Sequence, residues 1–104
     1  MRLVVISRPR FPVPPDQLPT IFQAFAEWRE RYRSRMESFE FFAGGGGGFG
    51  VFNVPDEATL NQVMLEYPLL PYSELEIRPV LDGDTALRQW QQALQAMAGR
   101  KAAG

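Results

Sequence analysis

The sequence contains neither cysteine nor histidine among its 104 residues. Without cysteine there is no disulfide, thiolate nucleophile or cysteine-ligated zinc, and without histidine there is no imidazole base, histidine metal site or axial haem ligand. The single lysine, Lys101, lies in a terminal stretch of small residues, so a buried Schiff-base lysine is not expected. We therefore expect no cofactor and no metal, and any proton transfer falls to Asp, Glu, Tyr or water.

The net charge is close to zero, and the sequence has no long apolar run. Eleven basic residues stand against twelve acidic ones, which leaves a net charge of -1 and no global field that would attract nucleic acid or an anionic membrane. The apolar run at residues 3–6 is too short for a signal peptide or a membrane span. We expect one cytoplasmic domain, with neither nucleic acid nor membrane as a partner.

The first half of the chain predicts a strand and then a helix. Residues 2–7 form a β-branched run without alternation, which is typical of a strand covered on both faces. Residues 16–36 carry apolar side chains at spacings of three and four, which predicts a helix with Asp16 as N-cap and Pro19 in its first turn. The arginines and glutamates beside this stripe predict a solvated flank, or alternatively an anion-binding patch. The aromatic residues of the stripe are expected to form core or to wall an apolar pocket: Phe22, Phe25 and Trp28.

A hairpin and a second helix follow. Residues 38–42 and 49–54 predict two strands, because a run of five glycines, 44–48, separates them. Asp56 is the expected N-cap of a helix that continues to about Tyr67.

The last third of the chain predicts a strand and one more helix. Residues 74–80 alternate between apolar and charged side chains, and Pro79 indicates an edge strand. Asp84 is the expected cap of a helix over about 84–97, and residues 98–104 are expected to fray.

The element order is strand, helix, strand, strand, helix, strand, with an extra C-terminal helix, which is the ferredoxin-like plait of the α+β class. In this plait the first and third strands are central and both helices cover the same face. The predicted central strands are apolar on both faces, so the second face needs a cover. We therefore predict that residues 1–97 form one ferredoxin-like domain, and that two copies pair sheet to sheet as a dimeric α+β barrel.

Several segments resemble the muconolactone isomerase family: VFNVP at 51–55, PLLPY at 68–72 with the strand at 74–77 after it, and RFPV at 10–13. With the element order, the resemblance covers most of residues 1–80. It implies the ferredoxin-like plait and higher homo-oligomers built on dimers. It also implies a cofactor-independent proton shift that moves a double bond in an unsaturated lactone bearing a carboxylate.

Such a reaction needs a base near the acidic C–H, a donor for the enolate oxygen and a cation for the carboxylate. Glu40 is the candidate base, because the phenylalanines beside it form an apolar setting in which a carboxylate is more basic. Tyr72 is the candidate donor, and Arg8 or Arg10 the candidate anchor. The alternatives are that Glu40 protects an edge strand from aggregation, that Tyr72 only packs, and that the arginines solvate the connector.

The glycine run admits three interpretations. It is a flexible tip, a phosphate-cradling loop of the spacing Gly45-x-Gly47-x-x-Gly50, or a place where a ligand or subunit approaches the backbone. The phosphate interpretation is disfavoured, because a strand rather than a helix follows. For the third interpretation, the substrate-binding candidates are Gly45, Gly46 and Gly47.

Two functions remain open. The first is an isomerase-like enzyme that acts on a small unsaturated lactone or a related carboxylated compound. The second is a non-catalytic, homo-oligomeric small-molecule-binding or structural module on the same scaffold. The second is favoured by the hairpin, where a His and an Arg of the family fall on Gly45 and Phe41. A haem-binding relative is disfavoured by the absence of histidine.

Overall fold

The computed structural model describes residues 1–103. Its strands are β1 (Arg2–Pro9), β2 (Met36–Phe41), β3 (Gly48–Asn53) and β4 (Ser73–Pro79), and its helices are α1 (Leu18–Arg31), α2 (Glu57–Leu65) and α3 (Gly83–Ala103). The strands form one antiparallel sheet in the order β2-β3-β1-β4. The central strands are thus β1 and β3, as predicted, and the ferredoxin-like α+β fold with an extra C-terminal helix is confirmed.

Helix α1 begins later than predicted. Asp16 lies inside a short 3-10 turn, Pro15–Gln17, and the N-cap of α1 is Gln17. Pro19 does lie in the first turn, where its missing N–H removes no intrahelical hydrogen bond. The prediction of Asp16 as the cap was therefore wrong, because the 3-10 turn moves the start of the α-helix by one residue.

Helix α1 also ends earlier than predicted. It stops at Arg31, a 3-10 turn at Arg33–Arg35 follows, and Met36 is the first residue of β2. Met36 still packs against the core. Its apolar character therefore reflects burial from a strand and not one more turn of helix.

Carboxylates cap the other two helices. The Asp56 side chain accepts a hydrogen bond from the Thr59 backbone N–H at 2.8 Å, as predicted. At α3, Asp82 accepts from the Thr85 N–H at 3.0 Å, so Asp82 and not Asp84 is the capping residue.

The C-terminal helix is longer than predicted. The helix expected over 84–97 spans Gly83–Ala103, since this end of the chain is rich in alanine, the strongest helix former. The last residue of the expected frayed tail, Gly104, lies outside the described residues. An apolar stripe on α3 is more than half exposed: Leu87, Trp90, Leu94 and Met97. No helix within residues 1–103 is long and apolar enough to span a membrane.

The core lies between the helices and one face of the sheet, here called the inner face. It is a cluster of buried side chains from β1, β3, both core helices and the turn after α2: Val5, Trp28, Phe52, Val63, Met64 and Tyr67. Trp28 joins the two helices, because its Nε1 donates a hydrogen bond to the Val63 carbonyl oxygen at 3.0 Å. Each fully buried large apolar side chain contributes about 1.5–3 kcal/mol.

The opposite face of the sheet, here called the outer face, has an apolar centre and a charged border. Strand alternation puts four half-buried side chains there: Val4, Ile6, Phe49 and Val51. At the border, the Arg2 guanidinium lies 2.8 Å from the Glu37 carboxylate, and the Arg8 guanidinium lies 3.5 Å from Glu76. The predicted pairing of two sheets would use this face, and it stays a prediction.

Candidate functional site

A cavity of about 300 Å³ lies between α1 and the inner face of the sheet. Aromatic side chains from α1, β2 and the segment after β1 form most of its wall: Phe11, Phe25, Trp28, Phe39 and Phe41. The Phe25 ring contacts three of the others, with its centroid 5.7 Å from that of Trp28, 5.8 Å from that of Phe39 and 5.9 Å from that of Phe41. The aromatic stripe of α1 thus contributes both core and cavity wall, through Trp28 and Phe25. The prediction was wrong for Phe22, which is 62% exposed and belongs to neither.

The cavity exists because small residues occupy the inner face beneath these rings. In the strand pairing, Gly48 lies opposite Ser7 on one side and Phe41 on the other, and Gly50 lies between Val5 and Phe39. Larger side chains at the two glycines would project into the space that the cavity occupies. At Gly48 and Gly50 the floor of the cavity is therefore backbone, and side chains such as Val5 and Ser7 line the cavity beside them.

Close packing of the strands also requires these glycines. A Cβ atom at Gly48 would lie 2.3 Å from the Glu40 carbonyl oxygen. One at Gly50 would lie 3.0 Å from the Phe52 ring and 3.1 Å from the Ser38 carbonyl oxygen. Substitution at either position would push the backbone or the neighbouring ring away.

Three hydroxyl groups provide the polar end of the cavity. The Tyr67 hydroxyl lies 2.9 Å from Ser7 Oγ, and Ser73 also hydrogen-bonds to Tyr67. Burial raises the pKa of Tyr67, and the hydrogen bonds from Ser7 and Ser73 partly oppose that rise. The phenol is therefore protonated at neutral pH, and its O–H can donate to an oxygen atom of a bound molecule.

The sequence pattern did not identify this hydroxyl cluster, defined here as Ser7, Tyr67 and Ser73. Tyr67 was predicted to end the second helix, but it follows α2 and points its hydroxyl at β1. One signal was present in the sequence, since Ser7 ends an otherwise apolar strand. It did not identify Tyr67 as the partner, because the two residues are 60 positions apart.

Glu40 borders the cavity, but its side chain lies on the other face of β2. Phe39 and Phe41 both pack against Phe25 on the inner face. Because side chains alternate along a strand, Glu40 lies on the outer face, opposite Phe49 in the pairing. The Glu40 side chain is exposed and its backbone faces the floor of the cavity.

Tyr72 lies in a 3-10 turn, Leu70–Tyr72, and lines the cavity. Its hydroxyl donates to Gln17 Oε1 at 3.2 Å, and its carbonyl oxygen accepts hydrogen bonds from the N–H groups of Arg10 (2.8 Å) and Phe11 (3.0 Å). These bonds hold the segment that follows β1 against the cavity.

The two candidate anchor residues lie outside the cavity. Arg8 is on the outer face with its guanidinium near Glu76. Arg10 is exposed, and its guanidinium carbon lies 5.2 Å from the centroid of the Phe11 ring. Neither is among the described residues that line the cavity.

The glycine hairpin folds as a tight turn. Gly44 through Gly47 all have φ between 84° and 94°, a region that favours glycine. The Gly45 N–H donates to the Phe42 carbonyl oxygen at 3.2 Å. Gly45 and Gly46 are exposed, and a Cβ atom there would meet no described atom within 4 Å.

Gly47 differs from its neighbours, because it lines the cavity and packs against β1. A Cβ atom at Gly47 would lie 1.9 Å from the Ser7 carbonyl oxygen. Gly47 therefore allows the hairpin to pack closely against β1 of the same chain.

The antiparallel βαββαβ sheet with an apolar cavity beneath α1 defines a small ferredoxin-like α+β protein. Within that class, the chain belongs to the family described as Domain of unknown function (DUF3303), which matches residues 1–95. No curated protein matches the chain.

The solved structures that match this chain include two enzymes with the same fold. Muconolactone isomerase is similar at a TM-score of 0.70 and 22% identity, over 79% of this chain and 90% of that chain. The 5-chloro-2-hydroxyhydroquinone dehydrochlorinase of Burkholderia phenoliruptrix, in complex with 2,5-dihydroxybenzoquinone, is similar at a TM-score of 0.63 and 12% identity, over 82% of this chain and 98% of that chain. At these identities the likeness concerns the fold.

Proposed function

We propose that this protein binds a small, largely apolar ring compound in the cavity beneath α1. The observation that carries the proposal is the cavity itself, about 300 Å³ of space with aromatic walls and one polar end. Small-molecule sites have this composition, in which apolar walls provide affinity and a few polar groups fix orientation. Further support comes from the dehydrochlorinase of the same fold, whose structure holds a small oxygenated ring compound.

A matched pair of tryptophan substitutions tests this proposal. Val13 lines the cavity, and Val80 is equally half-buried but lies outside it, so Val13→Trp should fill the site whereas Val80→Trp should not. Calorimetric titration with 2-naphthol, naphthalene and coumarin should show binding to the wild type and to Val80→Trp, and at least tenfold weaker binding to Val13→Trp. If none of the three compounds binds the wild type, or if Val13→Trp binds as tightly, the proposal is wrong.

The second candidate function is a proton-shift isomerisation of an unsaturated lactone that bears a carboxylate. It is favoured by the fold shared with muconolactone isomerase and by the position of Tyr72 at the cavity. In this mechanism Glu40 is the base, Tyr72 and the hairpin N–H groups of Gly46 and Gly47 are donors, joined by that of Gly45 once it leaves the Phe42 carbonyl oxygen. Arg8 or Arg10 holds the carboxylate. To act as the base, the Glu40 carboxylate would have to pass around the edge strand β2 from the outer face to the cavity.

An ultraviolet assay with muconolactone tests the isomerase candidate. We expect Glu40→Gln to lower turnover at least a hundredfold, which is the smallest contribution usual for a general base, whereas Glu74→Gln on the other edge strand should leave it unchanged. Wild-type protein without turnover would contradict the isomerisation, and full turnover by Glu40→Gln would contradict the role of that carboxylate.

We also propose that the protein pairs with a second copy through the outer face. The apolar centre at Ile6 and its neighbours fits a face covered by another sheet. Sedimentation velocity should show a dimer that Ile6→Asp dissociates, whereas Leu87→Asp, on the exposed side of α3, should remain dimeric. A monomeric wild type would contradict the pairing.

A further inference from the structure

We propose that the ligand of the cavity is uncharged and that one of its oxygen atoms is held by the hydroxyl cluster. This inference rests on the small-molecule binding proposed above and specifies its chemical class. It distinguishes a neutral phenol, quinone or lactone from a ring compound that carries a carboxylate.

The described lining of the cavity offers a ligand carboxylate no cation to pair with. Among the described residues, those that line the cavity include no arginine and no lysine. Glu40 is the one residue among them with a carboxylate, and its side chain lies on the outer face. A ligand carboxylate in this space would lose its hydration without gaining an ion pair, and such burial is strongly unfavourable.

Three arginines on the elements around the cavity have other contacts. Arg8 pairs with Glu76 on the outer face. Arg10 is exposed, and its guanidinium lies over the Phe11 ring. The Arg29 guanidinium carbon lies 4.6 Å from the centroid of the Phe39 ring, and the same guanidinium donates a hydrogen bond to a methionine sulfur. Recruiting any of them to a ligand would break these contacts first.

The hydroxyl cluster has the hydrogen-bonding capacity to hold a neutral oxygen atom. Either hydroxyl of the Ser7–Tyr67 pair can be the donor, and where Ser7 donates to the Tyr67 oxygen, the Tyr67 O–H is left to donate to the ligand. Burial keeps that phenol protonated. A neutral carbonyl or hydroxyl oxygen satisfies this single donor without bringing a charge into the cavity.

The aromatic walls suit the remainder of such a ligand. The Tyr67 ring centroid lies 5.0 Å from that of Trp28 and 5.8 Å from that of Phe25. A flat ring held by its oxygen at Tyr67 would pack along these side chains, which favour tilted or offset ring contacts.

The test compares three ligands of the same ring size at pH 7, followed by ligand fluorescence: 2-naphthol, naphthalene and 2-naphthoate. We expect 2-naphthol to bind at least about tenfold more tightly than the ionised 2-naphthoate, because a buried carboxylate lacks a partner. It should bind about two- to tenfold more tightly than naphthalene, the factor that one ordinary hydrogen bond supplies.

Substitutions in the hydroxyl cluster locate that hydrogen bond. Tyr67→Phe should abolish the advantage of 2-naphthol over naphthalene, and Ser7→Ala should reduce it. The control is Tyr32→Phe, since Tyr32 is a tyrosine whose hydroxyl bonds to Glu66 away from the cavity. Circular dichroism of each variant confirms that it is folded.

The possible outcomes distinguish a wrong ligand class from a cavity that binds no small molecule. If 2-naphthoate binds as tightly as 2-naphthol and Val13→Trp abolishes both, the ligand class is wrong although the cavity is a binding site. An advantage of 2-naphthol that survives in both Tyr67→Phe and Ser7→Ala overturns the role of the hydroxyl cluster. Binding of none of the three compounds overturns both proposals.

Discussion

The two faces of the sheet are built from the same four strands and differ by one step of side-chain alternation. On the inner face Val5 and Phe52 are buried beneath the helices, and small residues next to them leave an uncharged cavity. On the outer face Val4 and Phe49 are half-buried and charged pairs surround them. A shift of a single position along a strand therefore separates a ligand cavity from a surface suited to another sheet.

The comparison explains why the predicted site residues do not form one group. Tyr72 lines the cavity, whereas Glu40 and Arg8 send their side chains to the outer face. The residues that best match the cavity chemistry are the hydroxyl cluster. Assigning a site on a sheet therefore requires the face of each residue as well as its type.

The largest expected effect comes from a matched pair on β3. Phe52→Ala should lower the free energy of unfolding by about 3–5 kcal/mol, because the ring is 3% exposed and its removal leaves a cavity in the core. Phe49→Ala, on the outer face, should cost about 1–2 kcal/mol in the monomer, since the ring is only half-buried. Urea unfolding at low protein concentration measures both values.

Equal losses for the two phenylalanines would mean that the faces do not differ as described. If Phe52→Ala does not fold, Phe52→Leu and Phe49→Leu provide the same comparison with smaller losses.

The next effect concerns the hairpin, where Gly47 touches the inner face and Gly46 does not. Gly46→Ala should cost about 1–2 kcal/mol from the left-handed backbone alone. Gly47→Ala adds a clash with the Ser7 carbonyl oxygen, so its loss should be larger by at least about 1 kcal/mol. Thermal or urea unfolding of both variants checks this order, and indistinguishable stabilities would show that the hairpin does not pack against β1.

The burial of the Tyr67 phenol on the inner face should make the protein less stable at alkaline pH. The folded chain raises the pKa of Tyr67, mainly through burial, so above the ordinary tyrosine pKa of about 10 the unfolded chain ionises first. The protonated Tyr67 therefore contributes stability that is fully present below about pH 10, and this contribution is lost as the pH rises through the pKa that Tyr67 has in the folded chain. Urea midpoints between pH 7 and pH 11 should fall less steeply for Tyr67→Phe than for the wild type, and parallel curves would contradict the burial of this hydroxyl.

The smallest effect is expected at the border of the outer face. Glu76→Gln removes the partner of Arg8, but both side chains are more than 40% exposed and their atoms are 3.5 Å apart. Such pairs contribute about 0–1 kcal/mol, so the urea midpoint should hardly change and naphthol binding should be unaltered. A loss of more than about 2 kcal/mol would assign this border a structural role that its geometry does not suggest.

Much of the fold could be predicted from local patterns. The unalternating first strand, the proline at position 79 and the cap at Asp56 each follow from nearby residues, and together they imply the strand order. The cap at Asp82 was missed because Asp82 and Asp84 are both chemically suitable, and only the backbone decides between them. Met36 was misassigned because an apolar residue at helical spacing is equally consistent with a buried strand.

The site was harder to predict than the fold. The hydroxyl cluster joins β1, the turn after α2 and β4, so it depends on strand register and on helix placement. The cavity depends on which glycines of β3 lie on the inner face, and that is known only once the pairing is known.

The most direct measurement of the central claim is the position of bound 2-naphthol relative to two adjacent valines. Val5 lines the cavity on the inner face, and Val4 lies on the outer face. In nuclear Overhauser spectra of the complex we expect cross-peaks from the ligand ring protons to the Val5 methyl groups and none to those of Val4. Cross-peaks to Val4 in place of Val5 would put the ligand on the outer face and contradict the account.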